Sequence, residues 1–391
     1  MDETQVHLNV GLALALSRRW DEACQEFESA AASDPRDAEA RFQLGKACQA
    51  LGRWEQAAEA FQAAARLDPT RSEAKARAGQ VLAHLGRKEE ALAALEEALK
   101  EDPSNVQALN EVGDLLLAAG DAAGATQAWR ASLRIQGSQA ETSFKLGFAL
   151  ESQGLLEEAA DSYQAARAAT PRRLPVLLAL ASVLERLGKP LEAAETLAGA
   201  VASRPGDAGL VTRWAALLEV LGDASPAEDA LRKALQLDPG NAMAASQLGC
   251  LLAAKGKNAE AEALLKGAEP GLPEGGRKRA IAAWLDQHSG DVEAALAGYR
   301  AAVDMEPTLA FAWEGIAAIL YRRADLVHAL EAYEQLARLR PREPEALVRI
   351  GSLNLKLGKA GAAKAAWEAA LVLQPNNALV RKNLAVLGGG A

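Results

Sequence analysis

A chain of 391 residues with a net charge of -9, half of it hydrophobic, carries too much apolar matter to be disordered. Its acidity argues against a binder of nucleic acid or anionic membranes. Ninety residues, about 23%, are alanine, the strongest helix former, while aromatics make up only 4% and leave little for sheet sandwiches.

From the N-terminus, Val10 to Leu16 reads VGLALAL, an apolar run preceded by Asp2 and Glu3 and followed by Arg18 and Arg19, the reverse of a signal peptide's charge order. No stretch approaches the ~18 uninterrupted apolar residues of a spanning helix, so a cytoplasmic protein without membrane insertion is the expectation. The prolines then set the frame. Pro35, Pro69 and Pro103 are 34 apart, and the same step lands on Pro171, Pro205, Pro239, Pro273, Pro307, Pro341 and Pro375, missing only at Gly137. Eleven units of 34 residues run from Thr4 to Asn377, followed by a half-unit from Ala378 to about Leu387.

Each place in this frame has a physical task. The eighth is always Gly or Ala, from Gly11 and Gly45 to Gly351, so that two helix backbones come close. The fifteenth is Gly in nine units, a helix stop that tolerates positive φ, with Arg18 and Ala324 as exceptions. The twentieth is alanine throughout, and the twenty-fourth is always large and apolar, from Phe27 and Phe61 through Trp129 and Tyr163 to Trp367. Small faces large across a pair of helices about 13 residues long, each too short to be stable alone, so stability comes from stacking on neighbours. Pro175, Pro190, Pro226 and Pro344 fit the first turns of helices; Pro270 does not.

These columns resemble those of the tetratricopeptide repeat (TPR) family over residues 4 to 387. The resemblance implies an all-α fold, a right-handed superhelix (α-solenoid) of eleven helix-turn-helix repeats with a C-terminal capping helix over 378–387. It also implies that the first helices line a concave groove for peptides or protein segments.

The unit from Ala242 to Gly275 breaks the rule. Lys266 to Gly276 reads KGAEPGLPEGG, which stops its second helix near Gly267. The next unit has Ala282 and Asp286 where larger apolar residues are usual. The break is either a loop the solenoid tolerates or a hinge dividing an N-terminal array, 4–267, from a C-terminal array, 276–377. Gly137 marks a milder weak joint.

No catalytic constellation is present. His7, His84, His288 and His328 lie far apart, no phosphate or dinucleotide loop occurs, and the acidic pairs read as solvated faces. The three cysteines, Cys24, Cys48 and Cys250, are odd in number and scattered, so neither a disulfide framework nor a thiolate metal site is expected. Cys250 falls on a groove place but has no histidine beside it. A non-enzyme without cofactor or metal is the expectation.

In the family's geometry the second, fifth, sixth, ninth, twelfth and thirteenth places of each first helix face the groove. On these places the first five units carry Glu39, Glu73, Glu111, Asp114, Glu141 and Glu151 against Lys46, Arg77 and Lys145. The last six carry Arg186, Arg213, Arg277, Arg322, Arg349 and Lys356 against Glu185, Glu219, Glu314 and Glu345. One half is net acidic and the other net basic, a pattern that orients a ligand. Trp284, Phe311 and Tyr321 join Arg277, Arg322 and Arg349 on groove places, the residue types that dominate binding energy. Trp284 is read either as such an anchor or as a core residue turned inward. Phe42 and then Phe144, Lys145 and Phe148 form a second cluster, read as binding residues or as self-packing. The family's carboxylate clamp wants a cation at the fifth place and Asn at the ninth, and no unit has that pair.

The expected function is a protein-interaction scaffold or adaptor that binds a partner segment, acidic and apolar in character, in the C-terminal half. Alternatives are the substrate-recruiting arm of a larger enzyme, such as a glycosyltransferase, and a component of a pilus, secretion or envelope-assembly apparatus. The ending Gly388-Gly389-Gly390 is either a native tail or an addition. The opening helix, with Leu8, Leu12 and Leu16, is a candidate surface for self-association.

Overall fold

The computed structural model describes residues 3–388; Gly389 and Gly390 of the terminal glycine run lie outside them. Twenty-three α-helices, α1 to α23 in chain order, and one 3-10 turn make up the described residues, with no strand among them. Odd-numbered helices open the 34-residue units and even-numbered helices close them; α23 (Ala378–Gly388) is the final half-unit. The frame read from the prolines is the frame of the fold. First helices such as α3 (Ala38–Ala50) and α13 (Ala208–Val220) begin on the first place and end on the thirteenth, and second helices such as α4 (Trp54–Leu67) begin on the seventeenth. No helix of the described residues is long and apolar enough to cross a membrane.

The chain forms two compact units, Met1–Leu187 and Gly188–Ala391. Within each, a helix packs chiefly on the helices before and after it, so the core is a continuous seam. The Pro/Gly-rich break lies inside the second unit. There α16 (Asn258–Ala268) ends one residue beyond Gly267, a 3-10 turn carries Glu269–Gly271, and α17 (Gly276–Ser289) starts the next pair. The joint at Gly137 is knitted by Gln139, whose side-chain amide donates to the Gln136 carbonyl at 2.8 Å and to Ser132 Oγ at 2.9 Å, while its Oε1 accepts from Asn110 at 2.8 Å.

The packing rule of the seam differs in one respect from the expectation. What approaches the eighth place most closely is the twenty-fourth-place side chain, with a helix backbone behind it in two units. There a Cβ on Gly79 would stand 3.0 Å from the Ala91 carbonyl and one on Gly249 3.4 Å from that of Ala261. A Cβ added to Gly147 would stand 2.6 Å from the ring of Tyr163, and one added to Gly45 would stand 2.7 Å from Phe61. The alanines of the twentieth place, from Ala23 to Ala363, are fully buried. That column accounts for part of the alanine excess.

The fifteenth place takes the left-handed conformation whatever its residue, with Arg18 at φ 58° and Ala324 at φ 62° beside nine glycines. An L-residue there costs about 1–2 kcal/mol, part of which glycine returns as unfolded-state entropy. Ala324→Gly is therefore expected to stabilise the second unit by about 0.5–1 kcal/mol. A rise in urea midpoint at unchanged slope would show it, and an unchanged or lower midpoint would refute it.

The first helix of the described residues is α1 (Glu3–Leu16). Leu8 is buried against α2 (Trp20–Ser33), whereas Val6, Val10, Leu12 and Leu16 are exposed.

Two of the scattered cysteines meet. Cys24 on α2 and Cys48 on α3 lie buried with Sγ atoms 3.6 Å apart, a separation of free thiols, since a disulfide needs about 2.05 Å. Burial pushes the Cys24 thiol up and the Cys48 thiol up to about 12, which leaves both unreactive.

Candidate functional site

In the first unit a three-residue arrangement occurs twice. Arg71, the last residue of its unit, places its guanidinium 4.1 Å above the Phe42 ring and pairs with Glu39 at 2.6 Å. One hundred and two residues on, Arg173 stands 5.3 Å above Phe144 and pairs with Glu141 at 2.5 Å. Phe144 also packs on Tyr163, with ring centroids 5.6 Å apart. Lys145 is held by Asp114 at 2.7 Å, and Phe148 is 55% exposed. Of this cluster Phe148 offers the most exposed apolar surface. The arginines lie outside the groove places and were missed; the signal for them is an Arg on the thirty-fourth place in the two units that have Glu on the second and Phe on the fifth.

In the second unit the named residues separate into three groups. Trp284, on α17, is 6% exposed, and its indole stacks on His288 at 3.6 Å between centroids. It gives only an edge to a cleft of about 290 Å³, which Phe311, Glu314 and Arg322 of α19 (Ala310–Arg322) complete. Phe311 meets Tyr299 edge to face at 6.4 Å. The second group joins α19 to α21 (Pro344–Lys356). Lys356 Nζ donates to Tyr321 Oη at 2.9 Å and lies 4.6 Å from the ring centroid, with the Arg349 guanidinium 5.8 Å from it. The Lys356 hydrogen bond pulls the Tyr321 hydroxyl below its ordinary pKa. Arg277 belongs to neither group; it faces Cys250 and Glu219 instead.

Most groove-place cations of the first unit are paired, Lys46, 5.6 Å from the Phe42 ring centroid, being the exception. Arg77, Lys145 and Arg186 each have a carboxylate within 4.0 Å. Among the described residues Arg322, Arg349 and Lys356 have none, which leaves the Tyr321 ring beside cations that no carboxylate pairs.

Deeper in the same face is a cavity of about 350 Å³ lined by Glu219, Leu251, Ala254, Glu314, Arg340 and Glu345, among others. Arg340, at the end of α20 (Leu326–Leu339), reaches Glu314 at 3.3 Å and Glu343 at 3.4 Å. Burial opposes its charge, but Glu314, Glu343 and Glu219 together hold its pKa above the ordinary value. Burial also raises the carboxyls of Glu219 and Glu314. The loop after α20 closes against the far wall, where a Cβ on Gly222 would lie 3.6 Å from that of Arg342. Local periodicity gives no sign of this contact between residues more than a hundred apart. Cys250 is buried and its thiol is pushed up to about 12, which suits packing and not nucleophilic attack.

Lys255 also borders this cavity, but its ammonium bonds Glu228 at 2.7 Å. That bond, with a second from Arg232, lowers Glu228 to about 2. A depressed carboxylate contributes stability above its unfolded pKa and loses it as pH falls through the folded value. The Tm gap between wild type and Glu228→Gln is expected to be full above about pH 4.5 and to close towards pH 2, with solvent screening limiting it to about 1 kcal/mol. A gap that stays constant with pH would contradict the assignment.

Among the described residues no group of three or more His, Cys, Asp or Glu is placed to hold a metal ion.

A family model described as tetratricopeptide repeat matches residues 8–72, 42–106, 76–141, 112–173 and 144–208, and a second of the same description matches residues 344–377. Solved structures similar to this chain include MamA, at 22% identity over 44% of this chain and 93% of that one, with a TM-score of 0.42. PilF of Pseudomonas aeruginosa is 20% identical over 52% of this chain and 93% of its own, with a TM-score of 0.44. YrrB, described as a TPR protein with an unusual peptide-binding site, is 21% identical over 46% and 92%, with a TM-score of 0.42. A search of curated proteins found no match.

Proposed function

The chain belongs to the tetratricopeptide repeat family, and on that premise we propose that it is a protein-interaction scaffold whose second unit binds an acidic, apolar segment of a partner protein. The observation that carries this reading is the Tyr321 ring between Arg349 and Lys356, with Arg322 on the same helix and no carboxylate within 4.0 Å of the three cations. Of the other groove-place cations, Arg77, Lys145 and Arg186 are already paired with a carboxylate, whereas Lys46 and Arg277 are not. Cations left without a partner on an inner face, beside a ring that offers an apolar surface, suit a segment that brings carboxylates and a bulky side chain together. The cleft of Phe311 and the Trp284 edge is the seat for that side chain.

The test is fluorescence anisotropy with short labelled peptides in which acidic, basic and neutral residues alternate with Leu and Phe. Acidic members are expected to bind tightest, and Tyr321→Ala is expected to weaken them by roughly tenfold, the scale of one aromatic hot spot. A preference for basic or neutral peptides, or binding indifferent to Tyr321→Ala, would refute the proposal. Trp284 is unsuited to this test, because truncating a buried indole changes the fold as well as the face.

A further inference from the structure

The Tyr321 group collects positive charge without a counter-charge. Lys356 Nζ lies 4.6 Å and the Arg349 guanidinium 5.8 Å from the centroid of one ring, so the two cations stand within about a Debye length of each other at 0.1 M salt. Arg322, the next residue along α19, adds a third. The acidic groove places of the two helices do not offset them. Among the described residues Glu345, one turn before Arg349 on α21, forms no ion pair with it, and Glu314 on α19 is taken by Arg340 at 3.3 Å. Tyr333, on α20, faces the same two arginines, and burial keeps it a neutral hydroxyl.

Lys356 donates its hydrogen bond into Tyr321 Oη at 2.9 Å. One lone pair of the phenol is thereby occupied, and among the described residues no acceptor takes the phenolic proton. The Lys356 hydrogen bond, helped by the charges of Lys356 and Arg349, favours loss of that proton, which makes the O–H a stronger donor. Three kinds of donor then surround one ring: a phenolic O–H, an arginine fork and the remaining N–H groups of an ammonium. Matching them takes about three acceptor oxygens and two negative charges. A carboxylate brings two oxygens and one charge, whereas a phosphate monoester brings three oxygens and about -1.5 to -2.

We propose that Tyr321, Arg349 and Lys356 receive a phosphoryl group, carried by a phosphorylated serine or threonine of the partner segment, in preference to a carboxylate. The proposal rests on the second unit being the binding face, and it names the acidic group that this face takes. Arg349 holds two oxygens through its planar fork, while Lys356 and Tyr321 share the third. Arg322, which also lines the cleft of Phe311, ties the phosphoryl group to a bulky neighbour in the segment. Phosphorylation of the partner then switches its binding on, because the unmodified hydroxyl brings no charge to these cations.

The experiment uses the full chain and three labelled peptides that differ at one central position, Ser, Asp or phosphoserine, between Leu and Phe and without other acidic residues. Fluorescence anisotropy is expected to show phosphoserine bound roughly tenfold tighter than Asp, the worth of an added exposed ion pair and charge-assisted hydrogen bond, and Ser weakest. From about pH 5 to about pH 7 the phosphoserine affinity is expected to rise more than that of Asp. The second phosphoryl proton leaves near pH 6, whereas the Asp carboxyl is already ionised. Arg349→Gln with Lys356→Gln changes two exposed side chains and is expected to erase the tenfold margin. Equal affinity for phosphoserine and Asp, no binding of either, a margin that survives the double variant, or equally tight binding of a single-stranded oligonucleotide would each overturn the proposal. If Asp and phosphoserine bind equally and the double variant loses both, the acidic-segment reading stands and the phosphoryl assignment falls. If phosphoserine alone binds, the phosphoryl assignment stands and the carboxylate reading falls.

Discussion

Trp129→Ala is expected to destabilise the first unit by about 3–5 kcal/mol, the range for truncating a fully buried large aromatic. The indole is wholly enclosed, and its Nε1 donates to the Asn110 carbonyl at 3.3 Å. Its ring lies against Gly113, whose missing side chain makes the room. Alanine would leave a cavity that the neighbouring alanines are too small to fill. The Asn110 carbonyl would also lose a donor. In a solenoid the loss spreads only to neighbours, so the affected helices should open first and the transition should broaden. Urea unfolding followed by circular dichroism, with Phe148→Ala as the reference for an exposed ring in the same unit, measures the difference. A loss below about 1 kcal/mol would mean that the eighth and twenty-fourth places do not carry the seam.

That seam was legible because it is local. The residues that make it recur at a fixed spacing, so Gly147 against Tyr163 and Gly45 against Phe61 repeat one contact with one geometry. The stop at the fifteenth place was equally plain, and it holds even at Arg18 and Ala324, because the chain must reverse there whatever residue it has. Features that depend on how units lie over one another were not legible. Cys24 and Cys48 looked scattered because 24 residues separate them, yet one falls on α2 and the other on α3, which are packed together. The contact of Gly222 with Arg342 needs repeats more than a hundred residues apart to meet, and no period in the sequence records that. Trp284 occupies a groove place, but its unit begins after the Pro/Gly break, and its indole is packed down on His288. Side-chain direction at that one place depends on the irregular joint and not on the repeat.

The double reversal Arg349→Glu with Lys356→Glu is expected to weaken binding of acidic, apolar peptides by roughly 10- to 100-fold. Each side chain is exposed, so a single pair with a peptide carboxylate is worth only about 0.2–1 kcal/mol. Reversal removes two such attractions and replaces them with repulsions of similar size, for a total of about 0.8–4 kcal/mol centred near 2, and each 1.4 kcal/mol is tenfold. The effect should shrink as salt rises, because exposed charges are screened within about 10 Å at 0.1 M. Tyr321→Phe separates the parts of the site. It removes the hydroxyl that Lys356 holds at 2.9 Å but keeps the ring, so it should cost less than Tyr321→Ala. Reversing Arg71, which already pairs with Glu39 in the other unit, serves as the control and should leave binding unchanged. If Arg71→Glu lowered affinity as much as the double reversal, the acidic segment would lie on the first unit and the assignment of the face to Tyr321, Arg349 and Lys356 would be wrong.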